Sequence, residues 1–306
     1  MQNRATKNVL ASVLTQATPS LVELHTKERV HRSQTYAEIA AFVEGLRSQL
    51  RDRDIRCPPH SALWLLLMKA SALNEQWEAQ THGQDIHTLM QADEALRIAQ
   101  AIAEVIDEPG AAEAIRRMTK SDMNLSTRQP SQGKDALWEL DLLKFLRSHR
   151  VAARLQEPPD IAIDLPDGLG SYGIACKKLY SQDSLETPLR KGYQQLQRMG
   201  SPGLVAFNLD DLTPQRSILV HRTPELVGDF LHQRNVDFMR RHEAALQRAV
   251  MQGRCDGVLF ATTVQADIQS MSPRFNRFAE YMLWTVAQAP EATRRRLKCL
   301  HGMLVG

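Results

Sequence analysis

The chain has 306 residues, 43% hydrophobic and 24% charged, a balance that excludes a disordered or fibrous polymer and leaves room for two globular domains. Its net charge of +3 and pI of about 8.7 permit contact with a polyanion without requiring it. From about residue 7 to 118 the apolar spacing is almost wholly helical. Thr35 and Glu38 form a capping box, and Ile39, Phe42, Val43, Leu46 and Leu50 follow on one helical face. Pro58 and Pro59 break the chain before a second helix, "SALWLLLMKASALNEQW". A third helix carries Ile86, Leu89, Met90, Leu96, Ile102, Val105 and Ile106 and stops near Pro109 and Gly110. The polar segment "KSDMNLSTRQPSQGKD", with its Pro and Gly, reads as a linker. The expected division is a helical domain over 1–120, serving docking or dimerisation, a linker over 121–134 and a second domain over 135–306.

In the second domain the texture changes to helix, strand, strand, helix, strand, which predicts a mixed α/β class with a central sheet flanked by helices. "DALWELDLLKFLRSHR" is an amphipathic helix with Leu137, Leu140, Leu143 and Leu146 on its apolar side. "PDIAIDL" and "YGIACK" alternate like strands about the turn "PDGLGS". "SLETPLRKGYQQLQRMG" places Leu185, Leu189, Tyr193 and Leu196 on one face and ends at Gly200, a C-terminal cap. Two further strands, "GLVAFNL" and "GVLFATTV", flank a long helix from about Thr223 to Gly253, and the chain ends in helix. Its four cysteines, Cys57, Cys176, Cys255 and Cys299, are too far apart for a zinc or redox pair and read as free thiols in a cytoplasmic protein. The stretch "ALWLLLM" is too short to cross a bilayer, and the ten histidines show no metal-like spacing.

The strand "YGIACKKLYS" ends on two lysines with no acid beside them, and a buried ammonium needs a partner. Folding the two middle strands into a hairpin puts Asp160, Ala162, Asp164, Gly173, Ala175 and Lys177 on one face. Asp160 then lies opposite Lys177 to within about two residues. Glu139, set between Trp138 and Leu140, reaches the same end of the sheet from the preceding helix. Two carboxylates and a lysine suit Mg²⁺-assisted phosphodiester chemistry, in which hard oxygen ligands hold the cation and the lysine orients water. Taken singly, the three read as a strand-entry turn residue, a helix-surface residue and half of an ion pair.

Glu139 in "LWELDLL", Pro159-Asp160 heading a strand, the next strand running into "CKKLYS" and the helix with "GYQQL" resemble the PD-(D/E)XK nuclease superfamily over residues 134–265. The resemblance implies a restriction-endonuclease-like fold, Glu139 and Asp160 as ligands of Mg²⁺ or Mn²⁺, Lys177 as catalytic, and Gln195, with Gln194 second, as support. It implies a nucleic-acid substrate, DNA before RNA, in settings such as antiviral defence or repair. The N-terminal helices would meet a protein partner or a second copy, and no membrane is involved. One position departs from the pattern: the acid expected two residues before the lysine is Ala175. An engineered inactive variant, an acid relocated elsewhere and natural decay are the three explanations. The retention of Glu139, Asp160, Lys177 and Gln195 favours the first. The alternative in function is a nuclease fold kept without catalysis, binding nucleic acid or a partner subunit. The basic segments "MRRHEAALQR", Arg274, Arg277 and "RRRLK" are either phosphate contacts or solvated faces.

Overall fold

The computed structural model describes residues 21–30, 36–72, 75, 79, 86–214, 217–272 and 274–305. The chain is of mixed α/β class. The N-terminal region contributes helices α1 (Tyr36–Asp52), α2 (Ala62–Ser71), α3 (Ile86–Val105) and α4 (Ala111–Lys120). After α5 (Gln132–Ser148) come β2 (Ala153–Leu155), β3 (Ile161–Leu165), β4 (Gly170–Lys178), α6 (Glu186–Met199) and β5 (Gly203–Asn208). A 3₁₀ turn (Asp210–Leu212), β6 (Ile218–His221), α7 (Pro224–Arg241), α8 (Glu243–Met251), β7 (Gly257–Ile268), β8 (Phe275–Val286) and α9 (Glu291–Val305) complete it.

One region expected to be helical is not. Residues Leu21–Val30 form β1, which runs antiparallel to β8 from Leu21 opposite Val286 to Val30 opposite Arg277. Thr35, the expected helix cap, lies outside the described residues. Among the described residues the sheet has eight strands in the order β1-β8-β7-β5-β4-β3-β2, with β6 pairing the far end of β7. Strands β4, β5 and β7 are parallel, because α6 carries the chain from β4 to β5 and α7 with α8 carry it back to β7. Besides β1, the strands β2, β6 and β8 fall in segments expected to be helical or left unassigned. The single long helix expected there is α7 followed by α8.

Helices cover both faces of the sheet. Ile161, Ile174, Leu204 and Leu259 join one continuous apolar core with residues of α1 to α5 and α9. Ala175, Val205, Phe207, Phe260 and Trp284 join a second with α6, α7 and α8. The alternation of neighbouring residues between the two cores is what a strand's two-residue period dictates. Helix α5 is buried nearly all round, with Leu137, Trp138, Leu140, Leu142, Leu143, Phe145 and Leu146 all inside, because it is wedged between the sheet and the N-terminal helices. Trp138 Nε1 donates to the Ala206 carbonyl of β5 at 3.3 Å, fixing the helix over the middle of the sheet. Truncating a leucine of this helix to alanine is expected to cost about 2–5 kcal/mol.

The segment 121–134 is tied to its surroundings. Ser131 caps α5 by accepting from Gly133 N at 3.2 Å, and a side chain at Gly133 would stand 2.6 Å from Met123 Sδ and 3.1 Å from Met118 Cα. Lys134, with its side chain fully buried, donates to the Thr127 hydroxyl at 2.6 Å and the Thr127 carbonyl at 3.0 Å. No helix among the described residues is long and apolar enough to cross a membrane.

Candidate active site

The hairpin of β3 and β4 pairs Ile161 with Ile174 and Ala162 with Gly173. Extended by one residue, this register sets Asp160 across from Ala175, two positions from the expected Lys177, and Asp160 N donates to the Ile174 carbonyl at 3.3 Å. The lysine still reaches Asp160, because its long side chain spans the offset. Asp160 Oδ2 accepts from Cys176 N at 2.5 Å and from Lys177 Nζ at 3.4 Å, while Oδ1 accepts from Gln195 Nε2 at 3.2 Å. Lys177 Nζ also donates to the Cys176 carbonyl at 2.6 Å. Three residues far apart in sequence thus meet at the carboxyl end of β4. Gln194 is exposed and Gln195 half-buried, so Gln195 is the one turned to the site.

Glu139 enters from α5 and is 7% exposed. It does not stand free. Arg117, on α4, donates from Nη1 to Oε1 at 2.9 Å and from Nη2 to Oε2 at 2.5 Å, a two-pronged grip on the whole carboxylate. Burial pushes the Glu139 carboxyl up to about 7. The negative charge of Asp160 adds to the rise, and Arg117 and Lys177 oppose it. The same burial holds the Cys176 thiol well above its ordinary range, which leaves it a poor nucleophile. Arg117 was invisible in the sequence, since nothing about "AIRRMTK" tells which of its cations turns inward once α4 packs on α5.

Ala175 faces a setting different from the polar one expected. It is 0% exposed and belongs to the apolar core with Leu189, Leu196 and Val205, because α6 lays its leucines over that face of β4. Among the described residues no group of three or more His, Cys, Asp and Glu is placed to hold a metal ion. Both oxygens of Glu139 are taken by Arg117, and the third acid is absent. The residues present therefore do not fit the near-octahedral oxygen shell that Mg²⁺ demands. The buried Gln195 Oε1, which has no hydrogen-bond partner, is an acceptor left open at the site.

A second polar cluster, which sequence reasoning missed, lies over the carboxyl ends of β4 and β5 and beside the middle of β7. Arg97 bridges Asp141 at 2.7 Å and Asp210 at 2.9 Å, and Arg128 Nη1 donates to Asp211 Oδ1 at 2.8 Å. Lys178 Nζ donates to Asn208 Oδ1 at 2.6 Å and stands 3.3 Å from Asp211 Oδ2. Arg97, Arg128, Lys178, Asn208, Asp210 and Asp211 line a cavity of about 90 Å³. The signal available was "NLDDL" directly after a strand, at the sheet end where α/β proteins place ligands.

The basic segments sort differently from one another. Arg277 is 5% exposed and bonded to the Asp93 carbonyl at 3.3 Å, so it presents no charge to a polyanion. Arg274 is paired with Asp267 and Arg296 with Asp256, whereas Arg294, Arg295 and Lys298 are exposed on α9. Comparison with protein-family models, with curated proteins and with solved structures finds no match.

Proposed function

We propose that this chain is a nuclease-type protein of PD-(D/E)XK kind whose hydrolytic centre, at Glu139, Asp160, Lys177 and Gln195, is incomplete at Ala175. In this sequence it engages nucleic acid, DNA before RNA, without cleaving it. The observation that carries the reading is the meeting of Lys177 and Gln195 on the two oxygens of Asp160, with Glu139 buried beside them. In such a centre Asp160 would hold the lysine and the glutamine in place, Lys177 would offset charge on a phosphate oxygen, and the open Gln195 Oε1 would accept from water. A carboxylate at position 175 would supply the missing acid, and divalent-cation chemistry would enter only with it.

The second reading, a nuclease fold retained as a scaffold for nucleic acid or a partner subunit, is favoured by the Arg117 grip on Glu139 and by the apolar setting of Ala175. The first reading and the nucleic-acid form of the second require polyanion contact near Lys177, and they part on catalysis. Fluorescence anisotropy with single- and double-stranded DNA and RNA tests the shared part. Binding is expected, weakening as salt rises, and Lys177→Ala is expected to reduce it by about 1 kcal/mol. Absence of binding to all four probes by the folded protein would overturn the nucleic-acid reading.

A further inference from the structure

Between α6 and the end of α8 lies a groove of about 300 Å³, lined by Arg190 and Tyr193 from one side and by Arg248 and Arg254 from the other. Its charge is one-sided. Glu186, 3.3 Å from Arg248, is the one carboxylate among the described residues that line it, whereas a merely solvated face mixes charges of both signs. Arg254 is held in place without being neutralised. Its backbone N donates to the Ala249 carbonyl at 3.0 Å, which fixes the chain where α8 ends, and Nη1 donates to the Tyr193 hydroxyl at 2.9 Å with the guanidinium carbon 5.0 Å from the centre of the Tyr193 ring. A tyrosine cancels no charge, and a guanidinium carries several N–H donors, so most of those on Arg254 stay open to an anion. Arg190 is exposed and makes no ion pair among the described residues.

We propose that this groove seats the phosphate backbone of a nucleic-acid strand. The proposal rests on the nucleic-acid reading above and names where the strand is held. Planar guanidinium forks match phosphate oxygens bidentately. An acidic protein partner fits less well, because Tyr193 is taken by Arg254 and the groove offers no other exposed aromatic or large apolar side chain as an anchor. Helix α6 joins the groove to the candidate centre. Tyr193 and Gln195 point to opposite flanks of it, and Arg190 lies about 7.5 Å along its axis from Gln195. Lys191 and Arg198 stand exposed on the same helix, unpaired among the described residues, so a strand crossing α6 from the groove to Lys177 meets cations on its path.

The test follows the anisotropy of labelled single- and double-stranded DNA and RNA with the full chain over a series of salt concentrations. Arg190→Gln/Arg254→Gln is expected to weaken binding at least about tenfold and to lower the magnitude of the salt slope by about 1.4 to 1.8, as the loss of two phosphate contacts requires. Arg51→Gln/Arg56→Gln, the same charge change on exposed residues at and just beyond the end of α1, is expected to alter affinity by less than about twofold, because salt screens charges remote from the groove. Arg190→Gln alone breaks no ion pair among the described residues and is expected to lower the slope by about 0.7 to 0.9, which keeps the test decisive should loss of Arg254 unfold the chain. An equal loss in the two double variants makes the effect one of net charge and overturns the proposal. So does a folded groove variant that binds as the unaltered chain does while Lys177→Ala weakens binding. Polyglutamate that displaces the DNA at equal charge concentration shows a face for acidic chains at large and also overturns it. Absence of binding to every probe by the unaltered chain is a different failure, which removes the nucleic-acid reading and this proposal with it.

Discussion

Lys177 and Lys178 are neighbours on one strand, and the strand's alternation sends them into opposite polar clusters. Lys178, 7% exposed at its side chain, enters a closed network in which Arg97 holds two acids and Asp211 holds two cations. Burial works against the Arg97 charge, and Asp141 and Asp210 more than restore it. Asp210 stays below the usual carboxylate range in spite of burial, because Arg97 and Lys178 face it. Lys177, at 18%, enters a looser network with a 3.4 Å contact to Asp160, an unpartnered Gln195 Oε1 and an unpartnered Arg117 Nε. The tight cluster is fabric that ties the 3₁₀ turn to α3 and α5. The tight cluster has one buried atom without a hydrogen-bond partner, Asp211 Oδ2, which Lys178 still faces at 3.3 Å, whereas the loose one leaves Gln195 Oε1 and Arg117 Nε without any partner and so has more room for a further group.

This contrast predicts unequal costs. Arg97→Ala would leave Asp141 and Asp210 buried without their cation and is expected to destabilise the chain by about 3–5 kcal/mol in urea denaturation. Ala175→Glu forces a carboxylate toward Lys177 from an apolar face and is expected to cost about 1–3 kcal/mol while leaving the chain folded. Lys177→Ala loses a long contact on a partly exposed group and is expected to cost under about 1 kcal/mol. A Lys177→Ala cost equal to that of Arg97→Ala would break the comparison and make both clusters structural.

Glu94 sharpens the same contrast through pH. It borders the closed cluster, where burial lifts its carboxyl to about 7, Asp93 adds to the rise, and Arg97 and Lys134 oppose it. The unfolded group titrates near 4.3. Folding therefore takes up a proton between those values, so the folded state is favoured at low pH and that contribution is lost as pH rises through about 7. Glu94→Gln is expected to stabilise the chain at pH 8 by on the order of 2 kcal/mol, with the difference vanishing near pH 4. A difference independent of pH in denaturation curves would show that folding leaves the Glu94 titration unshifted.

Local signals were readable where a segment's own period matched its final surroundings. The strands at 161–165, 170–178 and 203–208 and the Gly200 cap, at φ 71°, follow from alternation and from glycine's tolerance of the left-handed region. Strand β8 was not readable, because from Asn276 to Val286 every residue is buried on one face or the other and no alternation remains, with Arg277 and Glu280 inside. Strand β1 was missed for a different reason. Its pairing with β8 joins residues some 250 positions apart, which no local window can see. In the site, Asp160, Lys177 and Gln195 were identified from their order along the chain. The Arg117 grip and the apolar setting of Ala175 depend on how α4 and α6 pack, which the sequence does not state.

The most direct measurement is cleavage by Ala175→Glu. The folded variant, verified by its circular dichroism and melting transition, is incubated with single- and double-stranded DNA and RNA in Mg²⁺ or Mn²⁺, alongside the unaltered chain and the Ala175→Glu/Lys177→Ala double variant. Cleavage, of DNA before RNA, is expected from Ala175→Glu alone. A folded Ala175→Glu protein that cuts none of the four substrates with either cation, or one whose cleavage persists without Lys177, would contradict it.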